Sequence, residues 1–175
     1  MNDITIAIIL MALISGLTIV LLLLFRKQSR FEIFNDSIVI HDFGYPANIP
    51  NYTIKSISMI EQMPKVMLKS NGYGGLKIQK GIFKIQGGRR AALYVEDHRR
   101  GPFINIQTMR DNVYINLRDE NQTHRLYDEM TKTIKILNEA ELVDCKVVTT
   151  GRSWLVVAVF TAITILLSML PILFI

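Results

Sequence analysis

A single cysteine, Cys145, among 175 residues excludes an internal disulfide and a metal cluster built from thiolates. The three histidines, His41, His98 and His124, stand at no ligand spacing from one another or from Cys145, so no metal site and no cofactor are expected. Acid is missing from the whole of Gln62–Val95, although that window holds seven Lys or Arg. Charge of either sign is missing from two long apolar runs, Ile4–Phe25 and Trp154–Ile175. Two glycine patterns are also incomplete. Five residues, not four, separate Gly75 from Gly81, and Ile82 follows, which excludes a P-loop. A dinucleotide fingerprint begun at Gly72-x-Gly74 meets Lys77 where its third glycine is needed.

What is present begins with those runs. Each is long enough, as a helix, to cross a hydrocarbon core about 30 Å thick. The sequence therefore predicts transmembrane helices over 4–25 and 154–175. The first run lacks a preceding basic residue and is followed by RKQSR, which argues against a cleaved signal peptide. Arg26, Lys27 and Arg30 follow the first run, and Lys146 and Arg152 precede the second. The positive-inside rule then places the middle domain in the cytoplasm and both termini outside, as in a multi-pass protein of the plasma (inner) membrane. Ala12 and Gly16, and Ala158 and Ala162, are small residues four apart and are candidates for helix–helix packing, within the chain or in a homo-oligomer. The sequons at Asn51 and Asn121 matter only for a domain facing a secretory lumen, which this orientation opposes.

Between the runs the pattern shortens to alternating segments: FEIF, SIVI, Ile57–Glu61, GIFKIQ, AALYVE, PFINIQT and NVYINL. Asn35-Asp36, GGRR and MRD read as hairpin turns, and Pro46 and Pro50 bracket a loop. About seven strands in an antiparallel meander are predicted. A helix over about Glu120–Asn138 follows, capped by Asp119, with Leu126, Met130, Ile134 and Leu137 as one apolar stripe. The expected fold class is mainly β with a C-terminal α-helix, an open barrel or sandwich between two transmembrane helices. The glycines of the window Ser70–Arg90 read as turn residues. Its basic residues Lys77, Lys80, Lys84, Arg89 and Arg90, with Arg99 and Arg100 beyond, are candidates for contact with an anionic surface, the lipid bilayer among them. A solvated face is the ordinary alternative.

The segments GYGG, KGIFKIQGGRRAALYVED, PFINIQT and NVYINL, with the helix after them, resemble the bacterial pleckstrin-homology family found beside transmembrane helices. Gly81, Phe83 and Ile85 match that family's strand pattern after a glycine-rich turn, and Leu93, Tyr94 and Val95 match the next strand. The resemblance covers about Phe31–Leu137, most clearly Gly72–Met130, within an expected domain over 31–140, and implies a seven-stranded binding or assembly module without catalytic activity. Its eukaryotic relatives read phosphoinositides through a basic first hairpin; here that turn is Asn35-Asp36, so no lipid-site residue carries over.

The function expected is thus a two-pass membrane protein that presents a cytoplasmic, non-catalytic module to a protein partner. The alternatives are an accessory subunit acting through its membrane helices and a membrane-bound hydrolase using Glu96-Asp97-His98. Neighbouring residues on a strand end point to opposite sides, which weighs against the hydrolase. Tyr73, Phe83 and Tyr94 lie near basic residues, but no nucleic-acid signature is formed, and a nucleic-acid partner is not expected.

Overall fold

A computed structural model describes residues 3–25, 27–75, 77–134 and 161. The chain divides into two units, one containing helix α1 (Asp3–Phe25) and the other, Gln28–Gly151, containing all the described strands and helix α2 (Glu120–Thr133).

In α1, Ile8, Met11, Leu13 and Ile19 are exposed. Over the residues whose side chains are described, no helix is long and apolar enough to cross a membrane. The second expected span, Trp154–Ile175, lies outside the described residues apart from Thr161. The two-pass architecture is corrected accordingly. The inner-membrane location, the outward termini, the cytoplasmic placement of the middle domain and the subunit acting through membrane helices all rested on it.

The second unit is mainly β with a C-terminal helix, as the alternating pattern predicts. Its first sheet has the order β1 (Arg30–Ile33), β2 (Ser37–His41), β3 (Ala47–Pro50), antiparallel throughout. The turn at Asn35-Asp36 forms as expected, closed by Phe34 N–H donating to the Ser37 carbonyl at 2.9 Å. Strand β2 alternates as a half-buried strand must, with Ile38 and Ile40 inside. Strand β3 replaces the loop expected between the two prolines. Ala47 and Ile49 point inward, and Pro50 ends the strand, where the missing N–H breaks no ladder.

The second sheet has six strands in the order β4 (Ile54–Ile60), β8 (Phe103–Thr108), β9 (Asn112–Asn116), β7 (Arg90–Val95), β6 (Gln79–Ile85), β5 (Val66–Gly74). The hairpins β6–β7 and β8–β9 are those read from GGRR and MRD. The meander fails between them: β7 pairs with β9 in parallel. The segment after β7 carries β8 past the next position, and the β8–β9 hairpin then folds β9 back into it. The six central residues of β7 and β9 that face each other are apolar or aromatic, from Ala92 and Val113 to Tyr94 and Ile115. Both strands are buried on both faces, as interior strands of a covered sheet are. Phe83, Ile85, Ala91, Leu93, Val95, Phe103 and Tyr114 form one core on this sheet.

Helix α2 begins as predicted. The Asp119 side chain accepts from the Asn121 N–H at 3.0 Å, which satisfies one orphan donor of the first turn. Leu126, Met130 and Ile134 are buried, each contributing about 1.5–3 kcal/mol, and α2 packs against β1, β4, β8 and β9. Leu137 lies outside the described residues.

Candidate functional site

Strand β6 carries the residue that departs furthest from its sequence-based reading. Lys80 and Lys84 stand four apart and so begin on the same side of the strand. Lys84 is exposed, whereas the Lys80 side chain is 1% exposed. Its ammonium lies 2.9 Å from Asp42 Oδ2 and 3.0 Å from Glu96 Oε1, and both carboxylates are 1% exposed too. Asp42 follows β2 and Glu96 follows β7, so Lys80 links the three-stranded sheet to the six-stranded one. Ser29 Oγ donates to the same Asp42 oxygen at 2.6 Å, and Arg118 Nε lies 3.6 Å from Glu96 Oε2. Two carboxylates thus face two cations, and the charge closes on itself. Desolvating such a group costs several kcal/mol per ion, so the cluster specifies how the sheets meet more than it stabilises them.

Two tyrosines adjoin the cluster. Tyr94 pairs with Lys80 across β6–β7, and its hydroxyl donates to the Tyr45 carbonyl at 2.9 Å. Burial first, and the nearby Asp42 charge second, push the Tyr94 phenol well above its ordinary range, and the Tyr45 phenol up for the same two reasons. Both phenols stay neutral throughout the physiological range.

Glycine lets this happen. Gly81 has φ +112° and faces Gly72 across β5–β6. A Cβ on Gly81 would stand 2.5 Å from the Asn71 carbonyl oxygen, and one on Gly72 would stand 2.6 Å from the Lys80 carbonyl oxygen. These two glycines therefore serve a close approach of two backbones within strands, not a turn. Gly87 and Gly88, with φ +88° and +75°, do form the β6–β7 turn as read.

The remaining basic candidates separate into two groups at opposite ends of the β6–β7 hairpin, about 20 Å apart at 3.3 Å per residue. At the turn end, Lys84 lies between Leu68 of β5 and Arg90 of β7 in register, with Arg89 exposed in the turn. At the other end are Lys77, Arg99 and Arg100, all exposed. Lys77 Nζ lies 4.0 Å from Asp97 Oδ2, and the Lys77 carbonyl accepts from the His98 N–H at 3.0 Å. Lys80 belongs to neither group and is removed from any surface by its burial. Of the helix-packing candidates, Ala12 and Gly16 are exposed on α1; Ala158 and Ala162 lie outside the described residues.

Glu96, Asp97 and His98 lie beyond the end of β7, and Glu96 turns away from the other two. Glu96 is held by Lys80, Asp97 accepts from the Arg99 N–H at 3.0 Å, and His98 Nδ1 lies 2.8 Å from the Lys77 carbonyl. Asn116 ties the segment beyond them, donating to the Arg100 and Pro102 carbonyls and accepting from the Asp97 N–H. Among the described residues, no group of three or more His, Cys, Asp or Glu side chains could hold a metal ion.

Sequence reasoning missed Asp42 and the inward turn of Lys80. The local signal was Lys80 lying between Ile78 and Ile82, all buried, beside a glycine in a strand. Comparison with protein-family models, with curated proteins and with solved structures finds no match to this chain.

Proposed function

We propose that the β-rich unit is a non-catalytic binding module that docks an acidic protein partner through the exposed basic residues at the turn end of the β6–β7 hairpin. The observation that carries this reading is the placement of Lys65, Lys69, Lys84 and Arg89, all exposed, in a window of sequence without one Asp or Glu. Such a surface raises the encounter rate of an acidic partner and penalises a basic one.

Two features support the non-catalytic part. The ionisable groups with the strongest chemical potential, Asp42, Lys80 and Glu96, are closed upon one another and nearly inaccessible. Glu96 turns to Lys80, whereas Asp97 and His98 both lie against Lys77, so the three do not converge. The pleckstrin-homology-like reading is supported by the strand pattern of β6 and β7 and by the closing helix. The parallel β7–β9 pairing departs from a simple meander.

The test uses the full-length chain and a fluorescent poly-glutamate peptide. Anisotropy should report binding at low salt that weakens steeply as salt rises, because exposed charges are screened beyond about 10 Å at 0.1 M. Arg89→Glu with Lys84→Glu should reduce the affinity by about tenfold or more. Absence of peptide binding at low salt, or equal binding by the double variant, would overturn the reading.

A further inference from the structure

We infer that β5 is the docking edge itself, and that its occupant is an extended acidic segment of a protein, added as a seventh strand to the six-stranded sheet. This rests on the binding-module reading above and names the site and the geometry within it.

Strand β5 ends the sheet, with β6 on one side only. Every antiparallel edge strand turns alternate N–H and C=O groups away from the sheet, and those groups form a template for another strand. This edge is the longest strand among the described residues, Val66–Gly74. Met67 and Leu68 are 63% and 57% exposed, an apolar pair left in solvent beside that template. The pairing with β6 shifts register between Val66 and Leu68 and again between Lys69 and Asn71. Such bulges twist a strand and, with lysine, ordinarily keep an edge from pairing with its own kind.

The charge selects the occupant. Lys65 and Lys69 are exposed at this edge, Lys84 lies next to Leu68 on β6, and no acid occurs in the window to offset them. In the registers that bring Lys65 or Lys69 opposite one another, a second copy of β5 would set lysine against lysine, and like charges across a strand pair are destabilising. An acidic strand with its carboxylates on the face of Lys69 reverses the sign there, while the apolar residues of its other face lie beside Leu68. The lysines therefore oppose self-pairing in those registers and favour this occupant, as in recognition by strand addition.

The probe is a short synthetic peptide in which Glu alternates with Val, compared with a version of the same charge carrying N-methyl groups at alternate backbone nitrogens. The full-length chain should bind the first peptide and protect β5 amides from hydrogen exchange. The N-methylated peptide should bind at least about tenfold more weakly, since it cannot donate along one edge. Lys65→Glu with Lys69→Glu should weaken the first peptide by a similar factor. Equal binding of the two peptides, or binding without β5 protection, would overturn strand addition while leaving the basic docking surface standing. Equal affinity for a DNA duplex of matched charge would overturn the choice of a protein segment. Failure of every acidic probe would remove the binding-module reading as well.

Discussion

The two ends of β6 place the same residue type in opposite worlds. At one end Lys80 is sealed between Asp42 and Glu96; at the other Lys84 stands in solvent between Leu68 and Arg90. The strand is seven residues long, and both side chains leave the same face. What differs is the cover. The partners that enclose Lys80 come from the loop after β2 and from the end of β7, whereas Lys84, at the turn end of the hairpin, is exposed. Charge on a strand therefore says little about surface until the neighbouring sheet is placed. A buried lysine with two carboxylates organises a fold, and an exposed one offers a contact.

The sharpest way to break the contrast is to remove both ammoniums in turn. Lys80→Met leaves Asp42 and Glu96 as buried charges without their shared cation and should cost about 3–5 kcal/mol in urea unfolding. Replacing Asp42, Lys80 and Glu96 together by Leu, Met and Leu should cost less than Lys80→Met alone, because no orphaned charge remains. If the triple variant proves the less stable, the cluster contributes stability and not only specificity. Next in size is Gly81→Ala, which meets the Asn71 carbonyl and a left-handed φ at once and should cost about 3 kcal/mol. Gly87→Ala shares the positive φ but meets nothing within 4 Å, so it should cost nearer 1 kcal/mol.

Tyr94 sharpens the buried end through pH. Its folded pKa lies above the unfolded value of 10.0. The stability linked to it is complete below pH 10 and is lost as pH climbs above 10 toward the folded value. The unfolded chain gives up the proton that the native protein retains, and stability should fall by about 1.4 kcal/mol per pH unit there. Tyr94→Phe should lower stability by about 1 kcal/mol at neutral pH, through loss of the bond to Tyr45, and should remove that share of the alkaline slope. An unchanged slope would locate the alkaline sensitivity elsewhere. Smallest of all, Lys84→Met should move the unfolding midpoint by no more than about 0.5 kcal/mol. A loss comparable to that of Lys80→Met would dissolve the contrast between the two ends.

Much of this was legible from local pattern. Alternation marked β1, β2, β6, β7, β8 and β9, and part of β4. Asp119 marked the start of α2, and the stripe Leu126–Met130–Ile134 marked its inner face. Two strands escaped for opposite reasons. Pro46 and Pro50 disguised β3, although a proline at a strand's end disrupts nothing. Strand β5 has no buried face to impose alternation: Met67, Leu68, Lys69, Ser70 and Asn71 are exposed in succession. The parallel pairing of β7 with β9 and the burial of Lys80 depend on contacts between residues far apart in sequence, such as Lys80 with Asp42, which no short window contains. The apolar runs read as membrane spans on length and composition, whereas among the described residues no helix is long and apolar enough to cross a membrane.

The order of strands also sets a timetable. Ile60, at the end of β4, lies opposite Phe103, at the start of β8. A ribosome adding about 5–20 residues per second makes β4 wait roughly 2–9 s for its neighbour to be synthesised. Meanwhile β5, β6 and β7 can already assemble from local hairpins. The nascent chain therefore holds β4 and β7 both without the neighbours they pair with in the finished sheet. Its vulnerability to misassembly peaks before Phe103 emerges and ends when β8 and β9 arrive together to join the halves.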